Sequence, residues 1–463
     1  MGQGSAAFAA AIKADGLGIK TAMIGGGATK GATVGGTCVN VGCVPSKNLI
    51  TVGSALHEAA RPPFRAIEYG RTRLDFRKAM AEKDALVRRL RKEKYTDVLG
   101  KLRNVEYIPG RGRFSSKNEV KVGGEIIGAK KFLIAVGAKA KVFAVKGIED
   151  VDYLTNEEAL NLKELPDSLI VVGGRALGLE FAQMYAHFGT KVTVLQRSGR
   201  ILPEGEPEVS EALKSYLQEE GMDIETGVEL RSVSRIGKTK VVRCAIRHQE
   251  REFRADQLLL AVGRAPNTDY LDAPKAGVEL DGSGFVKVNR EMQTSAPHVW
   301  AAGDVIGEPM LETIAAKEGA VAVANAFGDG KRTIDFDEVP RAVFTYPEVA
   351  SVGLTDAEAN GRGIKCACAI LPLNLVPKAQ IIGDTRGVVK LVADRKTKRV
   401  VGLHILAPNA ADLIHEGALA VKFGLTIDDI IDTVHVFPTL SEAIKLAAQS
   451  FYRDVGDLSC CTE

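Results

Sequence analysis

Gly35-Gly36-Thr37-Cys38-Val39-Asn40-Val41-Gly42-Cys43-Val44-Pro45-Ser46-Lys47 is the stretch that decides how this chain is read. Four residues separate Cys38 from Cys43 on a glycine-rich approach to a helix. On one helix the two would lie about one and a half turns apart, close enough for their sulfurs to meet. The glycines let backbone come close to a flat ligand. A structural disulfide across so small a loop adds little stability. The pair therefore reads as a redox dithiol or a soft-metal site, with two buried structural cysteines as the bland alternative.

Working outward, 463 residues suffice for two or three domains. With 45% hydrophobic and 26% charged residues, the composition is that of an ordinary globular protein. A formal charge of +3, 6% aromatics and no basic stripe among them give no nucleic-acid surface. No apolar run approaches the roughly 20 residues that cross a bilayer. Met1 to Ala14 lacks the basic start of a secretion signal. Seven cysteines, odd in number and unevenly spaced, argue against a secreted disulfide framework. The expectation is a cytoplasmic protein with no membrane partner. In a reducing compartment paired cysteines are more often catalytic or metal-binding than structural.

Gly2-Gln3-Gly4-Ser5-Ala6-Ala7 leads into the apolar run Phe8 to Ala14. It reads as G-x-G-x-x-A opening a helix, whose amino end suits a pyrophosphate near Gly2 and Gly4. A tight turn into an ordinary helix reads equally well. The strand expected before it is absent from the sequence, although in a doubly wound sheet that strand is central. Its loss would leave buried backbone groups unpaired on both sides. The strand Lys20 to Ile24 runs into Gly25-Gly26-Gly27-Ala28-Thr29-Lys30-Gly31, without the acid that would bind a ribose. Leu49 to Leu99 reads as helical, with Ala79 to Arg91 a solvated amphipathic helix. Phe132 to Ala138 reads as one buried strand ending around Gly137.

A second dinucleotide unit starts near Pro166. Leu169 to Val172 is a strand, Gly173-Gly174-Arg175-Ala176-Leu177-Gly178 turns into a helix, and Lys191 to Leu195 is the next strand. Arg175 replaces the middle glycine. The second strand ends in Gln196-Arg197-Ser198-Gly199-Arg200, where Arg197 and Arg200 favour a 2′-phosphate over a free ribose hydroxyl. Two exposed loop arginines are the plainer reading. Leu258 to Arg264 repeats the strand-plus-glycine pattern around Gly137. Two units imply two bound nucleotides, one passing electrons to the other. Trp300-Ala301-Ala302-Gly303-Asp304 ends a strand in an acid able to accept hydrogen bonds from a sugar-like hydroxyl. Ala315 to Phe327 is a small-residue helix suited to close packing. After Asp335 the pattern becomes a mostly antiparallel sheet with helices. Cys366 and Cys368, two apart in a strand, face one side and read as structural. Cys460 and Cys461 sit on a polar tail. They are poor disulfide partners, and a thiophilic-metal role is the sharper reading.

Together these motifs resemble the flavin disulfide reductase superfamily, over the whole chain. The resemblance rests on Gly35 to Lys47, on Ala302-Gly303-Asp304, and on Phe437-Pro438-Thr439-Leu440-Ser441-Glu442. It implies an α/β protein with two Rossmann-like dinucleotide-binding domains and a C-terminal α+β dimerisation domain. The expected limits are 1–145 and 269–336 for FAD, 146–268 for NADPH and 337–463 for dimerisation. Disulfide-reducing relatives carry a catalytic histidine where Phe437 stands, to protonate a leaving thiol. Its loss and the Cys460-Cys461 tail make the chain similar to the mercury-reducing branch. The resemblance then implies Hg(II), arriving as thiol complexes, as the substrate. It implies Cys38, Cys43, Cys460 and Cys461 as metal ligands. It gives Lys47, Glu180 and Tyr153 catalytic places. Gly2, Gly4, Gly36, Thr37, Lys47, Gly137, Gly173, Gly178, Arg197, Arg200, Gly263, Gly303 and Asp304 become the cofactor contacts. It also implies a homodimer whose partner tail completes each site. The alternatives are a dihydrolipoamide-dehydrogenase-like enzyme and a non-enzymatic thiol metal-binding protein.

Overall fold

The computed structural model describes residues 1–26, 34–61, 64, 66–67, 72–328 and 331–457. The chain divides into two compact units: Met1–Asn48 with Met80–Val142 and Gly263–Phe336, and Leu49–Ala79 with Phe143–Val262 and Asp337–Glu463. The architecture is α/β, as the alternating strand and helix patterns require.

In the first unit, Thr21–Gly25 pairs in parallel with Val105–Pro109, and Phe132–Ile134 pairs in parallel with Val299–Ala301. The slot between these ladders is not bare. The Met1 ammonium donates to the Leu133 carbonyl at 2.7 Å. The Ala135 N–H donates to Met1 O and the Gly2 N–H to Ile24 O, both at 2.7 Å. Two residues thus satisfy part of the backbone on both sides of this slot. The reading of Phe132 to Ala138 as one strand is corrected. The strand ends at Ile134, Ala135 turns to Met1, and Gly137 takes φ 70° before a separate short strand, Ala138–Ala140. The helix Ser5–Gly16 packs on Glu312–Phe327, whose Gly319 is what permits the approach. A Cβ there would lie 2.1 Å from the Ala6 carbonyl oxygen. Beside them, Phe114, Ile134, Val299 and Ala301 are wholly buried in the unit's main core.

The long helical reading of Leu49 to Leu99 is also corrected. One helix ends at Ala60, before Pro62 and Pro63 in the sequence, and the next spans Phe76–Arg91. In the second unit, four parallel strands run in the order Asp223–Thr226, Lys191–Gln196, Ser168–Val172, Gln257–Leu260. The three-stranded antiparallel meander Val228–Ile236, Thr239–Ile246, Gln249–Ala255 is absent from the sequence reading, because its outer strands are largely exposed and carry no apolar run. The same unit carries a five-stranded antiparallel sheet. Its order is Arg341–Val343, Glu348–Gly353, Val400–Ala407, Val388–Asp394, Cys366–Pro372. Helices Ala410–Phe423 and Glu442–Gln449 help form its core.

Candidate active site

The two cysteines of the opening motif do not share one helix. Cys38 lies in Gly36–Val41, the backbone breaks at Gly42, and Cys43 begins the helix Cys43–Ala60. The break leaves the sulfurs in contact: Cys38 S–H donates to Cys43 Sγ. That bond, with the Lys47 ammonium one helical turn on, holds Cys43 down at about 7 against the pull of burial. The start of an 18-residue helix adds its dipole in the same direction. Cys38, as the donor, is pushed far up. The pair is thus one thiol and one thiolate near neutral pH, the form that exchanges ligands. Cys43 is exposed and Cys38 half-buried.

Three residues near this pair escaped the sequence reading. Glu312 raises both thiols through its charge and accepts from Ser5 Oγ at 3.0 Å. Tyr95 stands edge-on to Phe8, with ring centroids 4.9 Å apart. Arg264 pairs with Asp304 at 3.2 Å and reaches Thr37 Oγ1 at 3.5 Å. Arg264 ends the second strand-plus-glycine repeat, Glu312 and Tyr95 lie in no motif, and only folding gathers the three.

The residues around the first helix fit a dinucleotide. Its N-cap is Gly4, with no side chain capping the first-turn amides. A Cβ on Gly36 would lie 2.5 Å from Gly4 Cα, and one on Gly2 would lie 2.0 Å from Ala135 O, so side chains are excluded from the cradle. Gly303 joins it: a Cβ there would sit 3.2 Å from the Ala6 Cβ, and its N–H donates to Glu318 Oε2 at 2.7 Å. Burial pushes Glu318 up to about 7 and also raises Asp304. Gly137 and Gly263 mark the two repeats. Each precedes a short strand, Ala138–Ala140 and Arg264–Pro266, and these pair with one another. The residues after Gly26 that would reach an adenosine ribose lie outside those described.

In the other unit, the turn after Ser168–Val172 has the same logic. A Cβ on Gly173 would meet Ala261 O at 2.2 Å, and one on Gly178 would meet Gly173 O at 1.9 Å. The helix Ala176–Phe188 has no side-chain cap. Gln196, standing where an acid is usual, accepts from the Gly174 N–H at 2.9 Å. Arg197 is exposed. Arg200 turns back on its loop, Nη2 donating to the Pro203 and Gly205 carbonyls at 2.7 and 2.8 Å. Buried Glu180 accepts from the Phe344 N–H at 2.9 Å. Tyr153 packs half-buried against the core cluster that includes Ile148, Val151 and Ile170. His435 is turned to Glu416 at 3.0 Å and to the Thr433 carbonyl at 2.9 Å. Phe437 is exposed, and the buried Oε2 of Glu442 has no hydrogen-bond partner among the described residues. Cys460 and Cys461 lie outside the described residues. Among those described, no helix is long and apolar enough to cross a membrane.

Comparison with known proteins finds relatives along the whole chain. Residues 1–319 match the family described as pyridine nucleotide-disulphide oxidoreductase, and residues 339–448 match its dimerisation domain. The mercuric reductase of Lysinibacillus sphaericus is 41% identical over 461 residues, covering 100% of this chain and 83% of that protein. The mitochondrial dihydrolipoyl dehydrogenase 1 of Arabidopsis thaliana is 36% identical over 461 residues, covering 98% of this chain and 89% of its own. The HOCl-induced flavoprotein disulfide reductase RclA from Escherichia coli superposes with a TM-score of 0.84 at 30% identity, over 96% of this chain and 97% of that one.

Proposed function

The chain belongs to the pyridine nucleotide-disulphide oxidoreductase family, and we propose that it reduces Hg(II) to Hg(0) at the expense of NADPH through FAD. The observation that carries the choice of substrate is Phe437. A disulfide substrate leaves as a thiolate that needs a proton, and the histidine that supplies it in relatives is replaced here by Phe437, while the buried Oε2 of Glu442 has no hydrogen-bond partner among the described residues. A thiol-bound soft cation needs no such donor at the metal. Mercuric reductases from several bacteria match the whole chain at 36–41% identity.

When bound, the two cofactors supply a hydride and a two-electron relay. The chain's own residues do the rest. Gly2, Gly4 and Gly36 leave the first-turn amides open to the FAD pyrophosphate, and Thr37, Gly303 and Asp304 would hold its sugar-like chain. Lys47 stabilises negative charge beside the dithiol. Gly173 and Gly178 do for NADPH what Gly2 and Gly4 do for FAD. Arg197 meets the 2′-phosphate, while Arg200 shapes the loop that presents it. Glu180 and Tyr153 serve the nicotinamide and substrate ends. Cys460 and Cys461 take Hg(II) from small thiols and pass it by ligand exchange. In the homodimer that the dimerisation domain builds, the tail serves the partner's site. One sulfur of the Cys38–Cys43 pair takes the metal as a thiolate, and the other releases its proton as the second mercury–sulfur bond forms. The two electrons that discharge the metal as Hg(0) would come from NADPH by way of FAD, giving NADP⁺ and a proton, and both thiolates would then be free again.

The Arabidopsis relative favours a second reading, a lipoamide-type disulfide reductase. One assay separates them. Purified holoenzyme should oxidise NADPH on addition of thiol-bound Hg(II) and show negligible NADH-dependent lipoamide reduction. The reverse pattern would overturn the mercury reading. Changing Cys460 and Cys461 to Ala should slow turnover while sparing flavin reduction by NADPH, and equal loss of both would remove the delivery role.

A further inference from the structure

We propose that Asp356, Cys366 and Cys368 form a binding site for a soft divalent cation of the zinc, cadmium and mercury group. The inference does not rest on the mercury reading of the redox pair. Cys366 and Cys368 are two residues apart on the edge strand Cys366–Pro372, so both side chains leave the same face. What the sequence does not reveal is the group that meets them. Asp356 opens the short helix Asp356–Gly361, held in place by the Thr355–Glu358 capping box. Cys366 Sγ donates to Asp356 Oδ1 at 2.9 Å. The two sulfurs and one carboxylate oxygen all lie within 4.8 Å of one another. Ligands about 2.3 Å from a tetrahedral ion stand roughly 3.8 Å apart, so a small contraction would close the shell.

The carboxylate is also oriented from behind, as metal ligands commonly are. Asn360 Nδ2 donates to Asp356 Oδ1 at 2.7 Å, and the Asp356 N–H donates to Glu206 Oε1 at 2.7 Å. Glu206 is in turn held by Lys390 Nζ at 2.8 Å. Cys366 is buried and Cys368 exposed. Cys368 borders an open cavity of about 630 Å³, with Ser450 to Val455 also in its lining, which offers an approach for the ion and room for a water as fourth ligand. Two thiolates and one carboxylate select a soft ion over a hard one. On binding, two metal–sulfur bonds form, two S–H protons leave to solvent, and no electrons move. The comparable cluster His57, His187 and Glu220 is different. Its carboxylate is already taken by the Arg386 guanidinium at 2.9 Å and by Gln183 at 2.8 Å.

The test uses full-length, oxidised holoenzyme carrying C460S/C461S, with Cys38 and Cys43 closed as a disulfide, and Cd(II) as the probe. Equilibrium dialysis should find one Cd(II) per chain with a thiolate-to-cadmium ultraviolet band, competed by Zn(II). C366S/C368S should lose both the ion and the band, and D356N should weaken binding at least about tenfold. Cd(II) should also raise the melting temperature of the parent and not that of C366S/C368S. Should the double substitution fail to fold, C368S alone, at an exposed position, decides the same point. Equal Cd(II) stoichiometry and band intensity with and without the two thiols would overturn the site.

Discussion

Two cysteine pairs in this chain sit in opposite electrostatic surroundings. Cys43 begins a helix, accepts a hydrogen bond from Cys38 and feels Lys47, and it is held at about 7. Cys368, two residues from its partner on an edge strand, is pushed up to about 12 by burial and by the Asp356 carboxylate. The first pair holds one thiol that ionises near neutral pH. The second keeps its protons until a cation displaces them. Side chains of the same type thus serve exchange in one place and retention in the other, and the difference lies in which charged group the backbone brings near.

The largest test of this contrast is catalytic. C38S or C43S should cut Hg(II)-dependent NADPH oxidation on the order of a thousandfold, since a unit that acts together fails together. C366S/C368S should leave turnover within about twofold. A comparable loss in both would erase the distinction.

A smaller effect should appear in alkylation. At pH 8 the reduced enzyme carries about 10⁴ times more thiolate at Cys43 than at Cys368. The lower nucleophilicity of the more acidic thiol trims this to about thirtyfold in rate. Peptide mapping after brief iodoacetamide treatment measures the ratio, and equal labelling would break the comparison. The sign for Cys43 is that of a depressed acid: its reactivity is present above about pH 7 and fades as pH falls through that value.

The smallest is a shift rather than a loss. K47M should move the alkylation midpoint of Cys43 upward by about one unit, because an opposite charge is removed from beside the thiolate. The profile of Cys368 should not move. An unchanged Cys43 midpoint would leave the Cys38 hydrogen bond and the helix dipole as the whole cause.

Much of this was legible in the chain itself. The doubled strand–glycine–helix pattern, the Gly35 to Lys47 stretch, the small-residue helix around Gly319 and the replacement at Phe437 are local signals. Each depends on residue types at fixed spacing, which folding cannot alter. The strand assignment around Ala135 and the single-helix placement of the cysteines were wrong for a related reason. A hydrogen bond from Ala135 to Met1 and a break at Gly42 are set by distant packing and by backbone angles, not by apolar period.

What the sequence alone determined was therefore the kind of protein: its α/β class, its two strand–glycine–helix turns and its closely spaced cysteine pair. Only the tertiary structure decided which charges each thiol meets. Met1 and Gly2 entered the sheet slot, Glu312 came beside Cys38 and Cys43, and Asp356 met Cys366 and Cys368. A pKa or a ligand set depends on groups a few ångströms away in space, and those neighbours are fixed by the fold rather than by position along the chain.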